Sequence, residues 1–505
     1  MEKLLEYIDR YLFLVLFGVI VLQIGFLFVN DLALLGDESY YWEWSRRPDW
    51  CYFSKPPMVA WLIAIFTNWL GHSVAILRLP AVILGTVCIW FFYATAKSIY
   101  GKTSAAFAVL LMLATPDNVL SNLIMTIDAP LTCFWMISVY CLHKAIFAQR
   151  LSYWFLAGLA TALALLSKQV AALMPLMLLL FILLEKQRYH WLRREFLIYL
   201  LPVVISAIPI CIWNQQHNWV MFGHSKEHFT TQLASSYSAV FKNFFSLLFY
   251  QLILISPVIF VIAVICSIKM LVNLCRLSAE QQFLVVMGPL LLLGVLLLSL
   301  IQKVQGNWPM PFYLTTLILL SGLWRQVKWQ MYLEMAVKVG LVMVAITYLL
   351  PNLLLKFNLN NTVLDPIKRF NYWPEVATNV QTERIKVISD LQNSFVVTLG
   401  HRNLASQLAF YLPDHPKVFR YEVTGKVKSQ YELWDGPIEF NGRNALIVSD
   451  NANLPEKLQN AFQNLNFLQQ IANPMHPEQP FYLFIGNTLT NWPPLSLQAL
   501  SSELN

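Results

Sequence analysis

The chain has 505 residues, of which 57% are hydrophobic and only 12% charged. A soluble domain of this size carries about twice that charge. The composition therefore excludes an ordinary soluble enzyme and predicts a polytopic α-helical membrane protein. The net charge of +7 is no nucleic-acid footprint, because much of it falls in short loops between apolar runs, where Lys and Arg set orientation.

Apolar runs near 11–30, 74–96, 103–117, 129–147, 153–167, 170–184, 197–213, 244–268, 283–301, 309–323 and 333–351 give about eleven transmembrane helices. The first run has no small-residue cleavage site behind it, and it is read as a retained helix. A cytoplasmic N-terminus leaves the basic residues in excess on the inner side by roughly two to one. The outer minority includes Arg46, Arg47, Lys55, Lys168 and Lys303. These cations work against the orientation rule, so their placement needs another reason. Residues 1–352 form the predicted membrane domain, and its first outer loop, 31–73, carries the conspicuous acids. From 353 to 505 the pattern changes. SFVVTLG (394–400), NALIVSD (444–450) and PFYLFIG (480–486) read as strands, and NLASQLAFYL (403–412) and PEKLQNAFQNL (455–465) read as helices. This predicts a soluble α/β domain, placed outside by the odd number of spans.

The chemistry concentrates in four places. GDESYYWEWSRRPDWCYFSKPP (36–57) holds Asp37, Glu38, Arg46, Arg47, Lys55 and seven aromatic residues. A carboxylate there can act as a general base towards an acceptor hydroxyl or coordinate a cation. The structural alternative is an interfacial amphipathic helix whose Trp42, Trp44 and Trp50 belt the headgroups. In TIDAPL (126–131), Asp128 is either an N-cap or a second acid facing the same cavity as Asp37. Lys168 interrupts an apolar stretch, where an ionisable residue is costly and functional by default; the alternative is snorkelling. Lys303 sits in the outer loop QKVQGNWP (302–309). His217, His224 and His228 fall in one polar segment, with the last two four residues apart; a zinc site would need further ligands, and a loop roofing a cavity is the simpler reading.

GDESYYWEWS, YFSKPPMVAWL, TIDAPL, LLSKQVAAL, PICIWNQQHNW and GNWPMPFYL, in that order over residues 10 to 320, resemble the bacterial branch of the protein O-mannosyltransferase and aminoarabinose transferase superfamily of GT-C glycosyltransferases. The segment SQYELW (429–434) is similar to one found in some bacterial members. The resemblance implies transfer of a sugar from a polyprenyl-phosphate carrier to an acceptor outside the bacterial inner membrane. It assigns Asp37 and Asp128 to catalysis and Lys55 and Lys168 to the donor phosphate; Glu38, adjacent to Asp37, and Lys303, a lysine on the same side, are added to these two sets from the residues themselves. Tyr40, Tyr41, Arg46, Asn214, His217 and Asn307 are the cavity-lining candidates. The expected partners are the lipid-linked donor, a glycolipid of the lipid A or lipopolysaccharide-core type or else a protein hydroxyl, and membrane lipids. A divalent metal is the one cofactor it raises. Two positions depart from the aminoarabinose pattern: Ser54 stands where an acid precedes the lysine, and Tyr40 where an arginine follows the first-loop Asp. The reading from another class is a transporter, which would place charges near the midplane, often in repeats. The conspicuous charges here cluster at one face instead.

Overall fold

A computed structural model describes residues 1–493 except 31, 232, 234, 235, 360, 361, 363 and 364, and leaves the side chains of residues 228, 231 and 370 undescribed. Among the described residues, seven helices are long and apolar enough to cross a membrane, including Leu12–Val29, Val74–Tyr100, Asp128–Phe147 and Val327–Lys356. An eighth span forms if Lys102–Leu113 and Pro116–Leu123, bent 70° at their break, count as one. Five shorter apolar helices complete the bundle.

Two features depart from the expected runs. Met58–Leu70 is an additional apolar helix. The run 244–268 is two helices, Tyr237–Leu254 and Pro257–Val272, parted at Ser256, whose φ is +81°. Pro257 has no backbone N–H to give and disfavours the α conformation in the residue before it. Elsewhere the helices pack closely enough to require glycine: a Cβ on Gly158 would lie 2.1 Å from the Tyr199 carbonyl oxygen of helix Arg194–Gln216.

The C-terminal region holds a five-stranded sheet of order β2-β1-β3-β5-β4, with β1 Phe395–Leu399, β2 Val418–Tyr421, β3 Ala445–Ser449, β4 Phe462–Ile471 and β5 Phe481–Leu489. β1 lies parallel to β2 and β3, while β5 runs antiparallel to β3 and β4. The predicted helix 455–465 is a correction. Only Glu456–Gln459 is helical, and the chain then enters β4. Phe467 of that edge strand pairs across to Phe484, ring centroids 5.4 Å apart, a tertiary contact that overrides local helix preference.

The first loop and the C-terminal region share one core. Tyr40, Trp42, Trp44, Val59 and Leu77 pack in a continuous apolar cluster with Val396, Leu404, Leu408 and Leu446. Polar bonds fasten the seam: Leu34 N–H donates to the Tyr411 hydroxyl (2.7 Å), Gln407 Nε2 to the Leu34 carbonyl (3.0 Å), and Ser39 and Ser406 hydroxyls meet at 2.9 Å. A Cβ on Gly36 would lie 2.4 Å from the Asn403 side chain. The docking is as close as core packing, and it holds the loop still over the bundle.

Candidate active site

The loop folds around a helix, Gly36–Ser45. Glu38, at its third position, accepts the Leu35 N–H at 3.0 Å and so satisfies a free donor at the helix start. The aromatics that composition alone could place at an interface turn inward. Trp42 and Trp44 are fully buried, and only Trp50 is exposed. The rings of Trp44 and Tyr52 stack at 4.4 Å. The loop is thus a built wall rather than a headgroup belt.

Asp37 and Glu38 part company completely. Glu38 is buried and forms a two-pronged pair with Arg78, Nε to Oε1 at 2.8 Å and Nη2 to Oε2 at 2.7 Å. It also accepts the Met125 N–H at 3.0 Å. Arg78 in turn donates to the Leu32 and Ala33 carbonyls. Glu38, expected as a second catalytic acid, therefore locks the loop helix onto the bundle, since both its oxygens are already engaged. Asp37 keeps an exposed carboxylate, and its contact is with Arg402 of the C-terminal region, Nη2 to Oδ1 at 3.2 Å.

Asp128 begins helix Asp128–Phe147. Its carboxylate is not a cap: Lys168 Nζ donates to Oδ1 at 2.7 Å, and Asn307 Nδ2 donates to Oδ2 at 2.6 Å. Two distant segments converge on one acid. Lys168 reaches it because helix Leu151–Ser167 ends there and the chain turns extended at residue 168. Lys55 completes the group. Its ammonium is pushed down to about 8, chiefly by burial and then by Lys168, while Asp128 and Asp37 oppose the shift. Burial also raises the Tyr41 phenol, with Asp37 next and Asp128 contributing. These mutual influences join Asp37, Tyr41, Lys55, Asp128, Lys168 and Arg402 into one electrostatic neighbourhood. It holds two carboxylates against three cations, and Lys55 makes no ion pair among the described residues. Such a site has room for one more negative charge.

The other expected residues sit elsewhere. Lys303 is exposed and makes no ion pair among the described residues; its segment reaches the site through Asn307 instead. Arg46 binds Glu43 (3.1 Å) and the His415 and Pro416 carbonyls (2.8 and 3.2 Å), which makes it a clamp on the C-terminal region. The buried Tyr40 hydroxyl accepts the Gln430 N–H at 2.6 Å, and its ring carries the Arg402 guanidinium at 4.7 Å. Asn214 is buried and donates to the Ile210 carbonyl at 2.8 Å. His217 stacks on Trp213 at 4.0 Å, and that indole donates to Asp49. These last two support the far end of the loop. His224 lies against Phe53, and the His228 side chain is outside the described residues. A divalent metal does not fit this donor set. Ser54 offers no carboxylate, Asp37 and Asp128 are held by cations and an amide, and no three His, Cys, Asp or Glu side chains converge among the described residues.

Sequence reasoning missed Arg402 and Arg78. Arg78 sits in an apolar helix, where an ionisable residue is itself a signal. Arg402 had none, because only tertiary docking brings it to Asp37.

The family described as dolichyl-phosphate-mannose-protein mannosyltransferase matches residues 54–213. Lipid A galacturonosyltransferase RgtD of Rhizobium johnstonii is 22% identical over 461 residues, covering 88% of this chain and 93% of that protein. The crystal structure of ArnT from Cupriavidus metallidurans in the apo state superposes with a TM-score of 0.62 at 16% identity, covering 94% of this chain and 98% of that one. The chain has the fold of that ArnT structure, and residues 54–213 are similar to the mannosyltransferase family. The same ArnT bound to undecaprenyl phosphate superposes with a TM-score of 0.61 at 14% identity. The likenesses to RgtD and ArnT run over most of the chain, so the loop and the C-terminal region belong to one shared architecture.

Proposed function

We propose that the transferase moves a sugar from a polyprenyl-phosphate carrier to a glycolipid acceptor of the lipid A or lipopolysaccharide-core type, at the outer face of the bacterial inner membrane. The N-terminus is then cytoplasmic and the C-terminal region periplasmic. The observation that carries the reading is the charge imbalance: Lys55, partly buried and without an ion pair among the described residues, stands beside a carboxylate cluster already matched by Lys168 and Arg402. A lipid phosphate supplies the missing charge. The similarity to a lipid A galacturonosyltransferase and to an ArnT bound to undecaprenyl phosphate supports the acceptor and donor classes.

In this reading the acceptor oxygen attacks the anomeric carbon while the bond to the carrier phosphate breaks. The electron pair leaves with the phosphate, and Lys55 meets the growing charge. Lys168 uses one of its three donors on Asp128 and keeps two for the phosphate. One well-placed donor of this kind contributes about 3 kcal/mol. Asp37, whose carboxylate is exposed, takes the acceptor proton. A single displacement inverts the anomeric centre.

The test is mass spectrometry of glycolipids from cells with the gene, without it, and with Asp37→Asn. Loss of one sugar mass from lipid A or core in both altered strains is the expected result. Unchanged glycolipids together with an altered glycoprotein would move the acceptor to a protein hydroxyl.

A further inference from the structure

A second feature lies away from the carboxylate cluster. It is a cleft of about 770 Å³ at the opposite end of the loop helix, between Arg46 and Arg47 on one side and Lys417, Trp434, Asp435 and Glu439 of the C-terminal region on the other. That volume suits a bound small molecule rather than a few waters. Its walls explain SQYELW. Gln430 anchors the segment to the loop, accepting the Phe53 N–H at 2.7 Å and donating to Tyr40. Ser429 and Glu432 close the turn on each other, and Trp434 is thereby presented to the cleft.

The charges there are unequally committed. Arg46 is consumed by Glu43 and two carbonyls. Lys417 and Glu439 pair with each other at 2.7 Å. Arg47 lies over the Trp434 ring at 4.3 Å and makes no ion pair among the described residues. A guanidinium held flat by an aromatic ring keeps its N–H edges for an oxyanion, and the indole offers an apolar platform to a sugar face. Asp435, exposed on the same wall, can accept from sugar hydroxyls.

We infer that this cleft is a binding site for an anionic saccharide, with a phosphate or carboxylate on Arg47 and a sugar ring beside Trp434. The inference rests on the proposed glycolipid acceptor and places part of it. Asp37 and Arg46 are nine residue steps apart along the helix and its cap, about 14 Å at 1.5 Å per step. An acceptor of two or more sugars spans that length, charged end in the cleft and reacting hydroxyl at Asp37.

The experiment uses the full chain in lipid nanodiscs and titrates a glucosamine disaccharide with and without its two phosphates. The phosphorylated probe should bind at least about tenfold more tightly, and Arg47→Ala should remove most of that difference. Arg47→Lys should restore part of it. Trp434→Ala should weaken both probes. Equal affinity for the two probes, or an unchanged affinity in Arg47→Ala, overturns the site. The two readings fail separately. If Arg47-dependent binding persists but no sugar is ever transferred from a polyprenyl-phosphate donor, the proposed activity falls and the cleft stands. If transfer proceeds and Arg47→Ala leaves the half-saturating acceptor concentration where it was, the cleft falls and the activity stands.

Discussion

Two acid–base clusters, begun by neighbouring residues, do opposite things. Around Glu38 every polar atom is matched: two guanidinium donors and two backbone N–H groups meet one carboxylate, in full burial. Around Asp37 and Asp128 the matching is left incomplete, with Lys55 in no ion pair among the described residues and Asp37 open. A closed cluster of this kind fixes geometry, and an open one is ready for a ligand. Chemistry is carried by what is left unsatisfied, provided that something rigid holds it in place.

Breaking the closed cluster should cost most. Removing one partner leaves a buried charge uncompensated, about 3–5 kcal/mol. Glu38→Ala and Arg78→Ala should therefore lower the yield and thermal stability of purified protein before any question of catalysis arises. If Glu38→Gln instead retains full stability and loses only transfer, Glu38 belongs with the open cluster after all.

Asp37→Asn should behave the other way. It should keep stability and donor binding while transfer falls by about 10²–10⁴-fold, the usual contribution of a general base. Single-turnover rates with pre-bound donor measure this directly. Turnover close to that of the unaltered protein would remove Asp37 from the base role.

This division explains what could be read in advance. Membrane spans follow from apolar length, a property of each segment alone, and the α/β character of the C-terminal region follows from its alternating apolar runs. Asp128 and Lys168 stood out because a charge in an apolar stretch demands a reason, and they do meet. Adjacent acids such as Asp37 and Glu38 look alike in sequence, since only the position of Arg78 forty residues on separates their fates. Arg402 comes from another region entirely. Lys303 and Asn307 show a finer limit: the segment could be picked out, but which side chain reaches Asp128 depends on the path of the loop.

Lys55→Ala should have a middling effect, raising the half-saturating donor concentration about tenfold, the worth of one charge-assisted bond. The pH dependence sharpens it. With its ammonium near 8 in the free protein, Lys55 is charged below that pH and neutral above it. Donor affinity should therefore fall as pH rises through about 8, well before an ordinary lysine titrates. The step should be missing from Lys55→Ala. An affinity that stays level to pH 9.5 in the unaltered protein would mean that another cation holds the phosphate.

The smallest effect tests the seam that keeps the open cluster rigid. Trp42 Nε1 donates to His72 Nδ1 at 3.1 Å, a bond that needs a neutral nitrogen there. The His415 ring lies 5.3 Å from the His72 ring, with Arg46 bound to the His415 carbonyl. Burial depresses both imidazoles below their ordinary value. For His72 the other ring and Arg46 add to the shift; for His415 Arg46 does, while Asp414 and backbone contacts oppose it. A folded-state value below the unfolded one means that the unfolded chain binds more protons in that window. The stability is thus complete above the ordinary histidine value of about 6.5 and is lost as pH falls through the lower folded values. Thermal stability should drop modestly between pH 7.5 and 5.5, by about the 1 kcal/mol of one hydrogen bond. His72→Gln, whose amide oxygen can still accept from Trp42 and does not titrate, should lose part of that acid sensitivity. If its acid profile matches that of the unaltered protein, the seam is held by packing alone, and the rigidity of the open cluster comes from the apolar core that the loop shares with the sheet.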